Sequence, residues 1–357
     1  MAHPGRQTPI GGGSAPHPPR KSPNGLDFGA FQNSRPPASF FPITLHRFSF
    51  RAIALGAWLF AGTLNAQITF NFTYTSAPTG PTSVGFTDPT FGAARQAALN
   101  DAGTTLASYF TTSAPRTLTF EVESSSVNNN TLASAGSNLA TSTAGFNRTV
   151  VQEKILTGTD ANGGDVDGNI TWNWFHNWDI TNAVAGGAYD FKSTVMHEIL
   201  HAFGYTSSTG AAGSNTGTVW NTFDKFLTTS TGTRLISVGG VFDTGLNSAL
   251  TGGPGVFFSG SNAMTANGGN RVAIYSPDPW SDGSSGAHTD DATYANTMMI
   301  AATTTGPGAR TLTAIEVGIL TDLGYTMSAI PEPSTYAAIL GTAALGVTII
   351  RRRRRTA

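Results

Sequence analysis

The 357-residue chain has no cysteine, which excludes a disulfide scaffold and any latency held by a cysteine thiolate. Basic residues are scarce in its middle. Residues 67–328 hold nine of them against nineteen acidic ones, a net charge of about −10, although the whole chain sums to −1. Phosphate binding needs clustered Lys and Arg, so nucleic acid is excluded as a partner. Long apolar runs are also missing before the C-terminus: residues 52–62 give eleven apolar positions, too few to span a bilayer. At 39% hydrophobic residues the chain can still bury a core, in one long or two short domains.

The two ends read as addresses. Residues 1–45 hold nine of the 19 prolines and a GGGS stretch, a composition that buries too little to fold. This extension is expected to be disordered or to reflect a mis-assigned start, with Leu45 a candidate initiation point. Arg47 and Arg51 then precede the apolar run, and Thr63-Leu64-Asn65-Ala66 follows. That order is a signal peptide over 46–66 with cleavage after Ala66, rather than a buried helix. At the other end Pro331-Glu332-Pro333 leads into an apolar stretch, 336–350, and five arginines, 351–355. The arginines place their side in the cytoplasm. The tripartite order over 329–357 resembles the PEP-CTERM sorting signal of Gram-negative bacteria. By that resemblance an exosortase-type enzyme removes the tail after transient anchoring in the inner membrane, and the protein ends at the cell surface or outside the cell. A permanent C-terminal anchor is the alternative.

Between the ends the patterning predicts an α+β domain over 67–328. Ile68, Phe70, Phe72 and Tyr74 alternate with polar residues, giving a half-buried strand. An Ala-rich helix is expected over 93–110 and a second strand around Leu118, Phe120 and Val122. A Ser/Thr/Asn/Gly-rich loop is expected over 124–149. Alternation returns over 170–178, with Ile170, Trp172, Trp174, His176 and Trp178 on one face. Asp190 is placed to cap a helix running to about Phe203.

That helix carries His197-Glu198-Ile199-Leu200-His201. Residues four apart leave one helical face, so the two imidazoles can share a Zn2+ ion, and Glu198 stands one step round to act as general base toward water. Two histidines do not complete a site. Within 67–328 the others are His176 and His288. His288 lies eleven residues before Met299, while Glu316, His176, Asp290 and Asp291 are competing ligands. Thr313 and Glu316 have capping-box spacing, which gives Glu316 a structural task instead. Ser207 occupies the position six after His201 and is a poor ligand. Gly204 is suited to a left-handed turn out of the helix.

The blocks His197 to Gly204, His288, Asn296 to Met299, and Leu312 to Tyr325 resemble the leishmanolysin branch of the metzincins and bacterial PEP-CTERM metalloproteases. The resemblance implies a twisted mixed sheet, an active-site helix, a Met-turn and a C-terminal helix. It implies that His197, His201 and His288 bind Zn2+, that Glu198 is the catalytic base, and that Met299 forms the Met-turn. It also implies that the strand before the active helix, taken as 172–178, is the edge that pairs with an extended peptide. No tyrosine stands two places after Met299, where Ala301 is found, so the group stabilising the oxyanion is not assigned.

Asp160, Asn162, Asp165 and Asp167 offer oxygens for Ca2+ but miss EF-hand spacing. The function these residues imply is an exported zinc endopeptidase acting on peptide or protein substrates. The opposing reading is a non-catalytic surface or biofilm-matrix adhesin that keeps a vestigial metal site.

Overall fold

Alternation in the first strand has the consequence expected of it: β1 (Ile68–Thr75) turns Ile68 fully inward and leaves its threonines at the surface. In the computed structural model, which describes residues 67–75, 85–252 and 255–328, β1 runs parallel to β2 (Arg116–Ser125), with Phe70 beside Leu118. Strand β2 runs parallel to β4 (Gly168–Asn173), with Val122 beside Ile170. The short β3 (Ala133–Gly136) closes the sheet antiparallel to β4, with Ala135 beside Ile170. The order is therefore β1-β2-β4-β3. The extension 1–45, the signal peptide 46–66 and the sorting tail 329–357 with its apolar stretch lie outside the described residues. Among the described residues no helix is long and apolar enough to cross a membrane.

Two expectations are corrected here. The alternating stretch 170–178 is not one strand, because β4 stops at Asn173 and residues 174–177 turn. Nor is it an edge, since β2 and β3 flank it. Trp174 and Trp178 pack on the core: Trp178 on Trp172 at 4.6 Å between ring centroids, and Trp174 on Phe191 at 5.8 Å. The edge strand is Ala133–Gly136, which lies inside the stretch expected to be loop. Alanine, serine and glycine give little strand signal, so its pairing depends on its neighbour.

Helix α1 (Gly92–Ala107) packs on β1 and on α3 (Phe191–Ala202). A further helix, α2 (Val150–Thr157), precedes β4 and is capped by Thr149. Asp190 caps α3 by accepting a hydrogen bond from Ser193 N at 3.1 Å. Such a cap stabilises a helix by about 1 kcal/mol. All of α3 is buried except Lys192, His197 and His201, which are half-buried. A helix enclosed on its other faces is rigid, and the two histidines are its opening to the cavity.

The chain between the histidines forms a second layer rather than loop alone. Its antiparallel sheet comprises β5 (Leu227–Thr228), β6 (Val256–Phe258) and β7 (Val272–Ile274). Helix α4 (Ser261–Ala266) lies on α5 (Ala314–Asp322), with the Asp322 carboxylate accepting from the amides of Asn262 and Ala263 at 3.0 and 2.9 Å. The contact is close because residue 318 is glycine: a Cβ there would stand 2.7 Å from Ala263 Cα.

Gly168, at the start of β4, is also fixed by its surroundings. An added Cβ would stand 2.5 Å from Phe120 Cε1 and 2.9 Å from Gly136 O, and Phe120 is fully buried. Gly168→Ala is expected to destabilise the domain by roughly 1–3 kcal/mol through overpacking. A urea titration checks this: the midpoint falls while the slope is unchanged.

Candidate metal centre

Helical spacing and the second layer together bring three imidazoles to one point. His197 and His201 leave the open strip of α3 with their Nε2 atoms 3.1 Å apart, and His288 Nε2 lies 3.1 Å from that of His197. One ligand atom from each lies within 4.8 Å of the others. Each ring also uses its second nitrogen. Nδ1 of His197 donates to Met298 O at 2.8 Å, that of His201 to Tyr205 O at 2.8 Å, and that of His288 to Ser284 O at 2.7 Å.

These carbonyls fix the tautomer, since a carbonyl only accepts. With the proton on Nδ1, each neutral ring presents a bare Nε2 lone pair to the other two. Burial keeps the rings neutral. It pushes His197 below the usual histidine range and His201 well below it, and the neighbouring imidazoles add to the shift of His201. His288 is pushed down to about 3 by burial and by His197. Three convergent acceptors without a proton between them repel one another, and a divalent cation removes that conflict. The donor set fits zinc, which takes three imidazoles and leaves a fourth position open.

Each carbonyl reaches its ring through a local feature of the chain. Gly204 adopts φ +88° and reverses the chain after α3. Gly204 N donates to His201 O and Tyr205 N to Leu200 O, both at 3.0 Å, the paired bonds of a Schellman turn. That turn delivers Tyr205 O to His201. A side chain at 204 would also meet Gln152 Oε1 at 2.9 Å. His288 is held by backbone pairing, with Tyr275 N donating to His288 O at 2.8 Å and Thr289 N to Met299 O at 2.8 Å.

The remaining candidates have other partners. Glu316 caps α5 through Thr313, with Thr313 N donating to its Oε2 at 2.8 Å, while its Oε1 accepts from Met299 N at 2.8 Å. It fastens the turn at 296–299 from below and is engaged by backbone amides rather than free to act as a ligand. Met298 lines the cavity, whereas Met299 is buried and is not among the lining residues. His176 Nε2 donates to Thr131 O at 3.1 Å, away from the cluster. Asp290 holds Thr293, and Asp291 accepts from Ala301 N at 2.7 Å, so it is the Ser284 carbonyl and not a carboxylate that orients His288. Ser207 bonds Asp224 and Thr209. In the loop considered for Ca2+, Lys154 Nζ meets the carboxylates of Asp160 and Asp167 at 3.0 Å, an ion pair in place of a cation site.

Glu198 lines the same cavity and is 7% exposed. Burial pushes its carboxyl up to about 8, opposed by a hydrogen bond from the Ala135 amide of β3. The cavity has a volume of about 700 Å3. It is lined by residues 130–135, by side chains along α3, by parts of the 281–288 loop, and by residues from the segment 300–309; among the described residues no Lys or Arg lines it.

Sequence reasoning missed what holds the 300–309 wall. Arg310 donates to both Asp190 oxygens, Nε to Oδ2 at 2.7 Å and Nη2 to Oδ1 at 2.8 Å, and reaches Asn182 Oδ1 and Thr181 O. Gly308 N adds a third hydrogen bond to Asp190, at 3.0 Å. A cap residue carrying a second carboxylate oxygen was the available signal. Asp190 is 3% exposed, so removing its partner leaves a buried charge uncompensated. Arg310→Met is expected to destabilise the domain by roughly 3 kcal/mol, read as a lowered Tm. Arg310→Lys recovers only part of this, because an ammonium cannot reproduce the forked contact.

Residues 329–355 match the family model described as the PEP-CTERM protein-sorting motif. The motif marks the chain as exported and processed at the membrane, and it implies an exosortase-type processing enzyme. No curated protein matches the chain.

Proposed function

We propose that residues 67–328 form an exported zinc-dependent endopeptidase of metzincin-like type. The observation that carries this reading is the convergence of three neutral Nε2 lone pairs, each ring locked by its own carbonyl, beside a buried Glu198 in one cavity. A structural surface protein has no use for a buried glutamate kept in the same cavity as such a cluster. The backbone sequence His197 to Gly204, the later His288 and the turn at 296–299 support the metzincin likeness.

His197, His201 and His288 would hold the ion. When bound, it supplies Lewis acidity toward a water molecule and toward a substrate carbonyl. It also opposes the effect of burial on Glu198, since a nearby cation favours the carboxylate. Glu198 then takes the proton from the attacking water and returns it to the departing amine. Strand β3 offers a sheet edge along which an extended peptide can pair. In this reading hydrolysis proceeds by direct attack of water, without an acyl intermediate. The sorting tail delivers the domain to the outside, in this reading to the surface of a Gram-negative cell.

The full chain is expected to bind about one zinc per molecule and to cleave unfolded protein substrates. Glu198→Gln keeps the metal and loses roughly 10²–10⁴-fold in activity, whereas His288→Ala loses the metal. Metal analysis beside a peptide-release assay measures both. Zinc binding with equal inertness of wild type and Glu198→Gln on every substrate would favour the matrix-adhesin reading instead.

A further inference from the structure

Val127 and Phe175 are large apolar side chains that remain 47% and 49% exposed. Exposed apolar groups are ordinary when scattered, but the backbones of these two are tied to one point. Their backbone amides donate to the same atom, Asn173 Oδ1, at 3.0 and 3.1 Å. Asn173 Nδ2 in turn donates to Val127 O and Thr131 O, both at 2.8 Å, and to Asn129 Oδ1 at 3.2 Å. Asn173 is 3% exposed and ends β4. A buried amide with all its hydrogen-bonding groups engaged therefore fixes the backbone of both exposed residues, which lowers the backbone ordering cost of binding there.

The pair is continuous with the cavity. Thr131 O also accepts from His176 Nε2 at 3.1 Å. The His176 ring stands edge-on to Phe175 and to Tyr189, each at 5.7 Å between centroids. Thr131 and Tyr189 both line the cavity. From the histidines the unpaired edge of β3 leads back to Thr131, and the row Tyr189, His176, Phe175 leads outward from it.

We propose that Val127 and Phe175 form a distal shelf for the same extended polypeptide that occupies the cleft, taking one of its apolar side chains several residues away from the scissile bond. The proposal rests on the peptidase reading. The occupant follows from the surroundings: a strand pairing along β3 must emerge past Thr131, and the row it meets there is aromatic and carries no Lys, Arg, Asp or Glu. The shelf makes the protein a cleaver of unfolded chains of some length, with affinity drawn from outside the catalytic cavity.

Zinc-loaded full chain is assayed on two peptides, about six and about twelve residues long, the longer spanning roughly 40 Å when extended at ~3.3 Å per residue and carrying Phe at its far positions. Phe175→Ser is expected to lower kcat/KM about tenfold on the long peptide, through KM, and less than about twofold on the short one. Phe175→Tyr restores the difference. Val238→Ser, at a turn 78% exposed, shows no dependence on length. Binding of the long peptide to Glu198→Gln, followed by fluorescence anisotropy, weakens about tenfold when Phe175→Ser is added. A length-independent penalty, or none, overturns the shelf. Length-dependent binding with no cleavage by wild type overturns the peptidase reading and leaves the shelf standing. Cleavage retained without length dependence does the reverse. Circular dichroism and zinc content, unchanged in Phe175→Ser, separate these outcomes from misfolding.

Discussion

Three hydrogen bonds from imidazole Nδ1 atoms to backbone carbonyls are the constraint around which this domain is arranged. Each carbonyl comes from a different part of the chain: Tyr205 follows α3, Ser284 lies in the loop before His288, and Met298 sits in the turn before α5. Holding three carbonyls to within 2.8 Å of three ring nitrogens requires the second layer to dock against α3 at one register. The Gly204 turn, the pairing of Thr289 with Met299, and the capping of α5 all serve that register. A hydrogen bond between neutral groups contributes only about 1 kcal/mol net, so the bonds do not hold the fold by strength. They set where the lone pairs point, and the buried core around α3 supplies the stability.

Two buried carboxylates extend this logic to the cavity walls. Glu316 joins the start of α5 to the backbone of Met299, and Asp190 joins the start of α3 to Arg310 and Gly308. In both, a carboxylate that caps its own helix also fixes a neighbouring segment, Glu316 with its second oxygen and Asp190 with both. The turn at 296–299 and the 300–309 segment are therefore indexed to the N-termini of α5 and α3. Loss of either carboxylate would leave buried amides without acceptors. Both carboxylates lie outside the histidine cluster and shape it from the rear.

Much of the centre was legible in the sequence because it depends on local periodicity. The four-residue spacing of His197 and His201, the cap at Asp190, the left-handed Gly204 and the capping box of Glu316 each follow from helix geometry within a few residues. The alternation of β1 and β2 was legible for the same reason. What escaped depends on tertiary pairing. Ala133–Gly136 has no strand signature, and only its register on β4 makes it the edge. The alternation running to Trp178 mimicked a longer strand because Trp174 and Trp178 return to the core through a turn and still satisfy the period of two. The position of His288 beside His197 spans 91 residues, and no local rule reaches that far; the spacing to the methionines suggested it, and the second layer places it. The second oxygens of Asp190 and Glu316 were invisible because their partners are set by packing.

The bare edge of β3 raises a physical question, since exposed edges invite unwanted pairing between molecules. Four features limit that hazard here. The strand is four residues long, too short to template much. Its side chains are Ala, Ser, Ala and Gly, which give a second sheet little to pack against. The domain carries a net charge of about −10, which opposes self-association. The edge also borders a concave surface, since residues 133–135 are among those lining the cavity. In the proposed peptidase reading, the same small side chains that hid this strand from pattern reading would leave room for a peptide backbone in the cavity lined by Glu198, whose carboxyl already receives the Ala135 amide. On that reading, the short edge of small residues that discourages pairing between copies of this protein would still admit a single extended polypeptide.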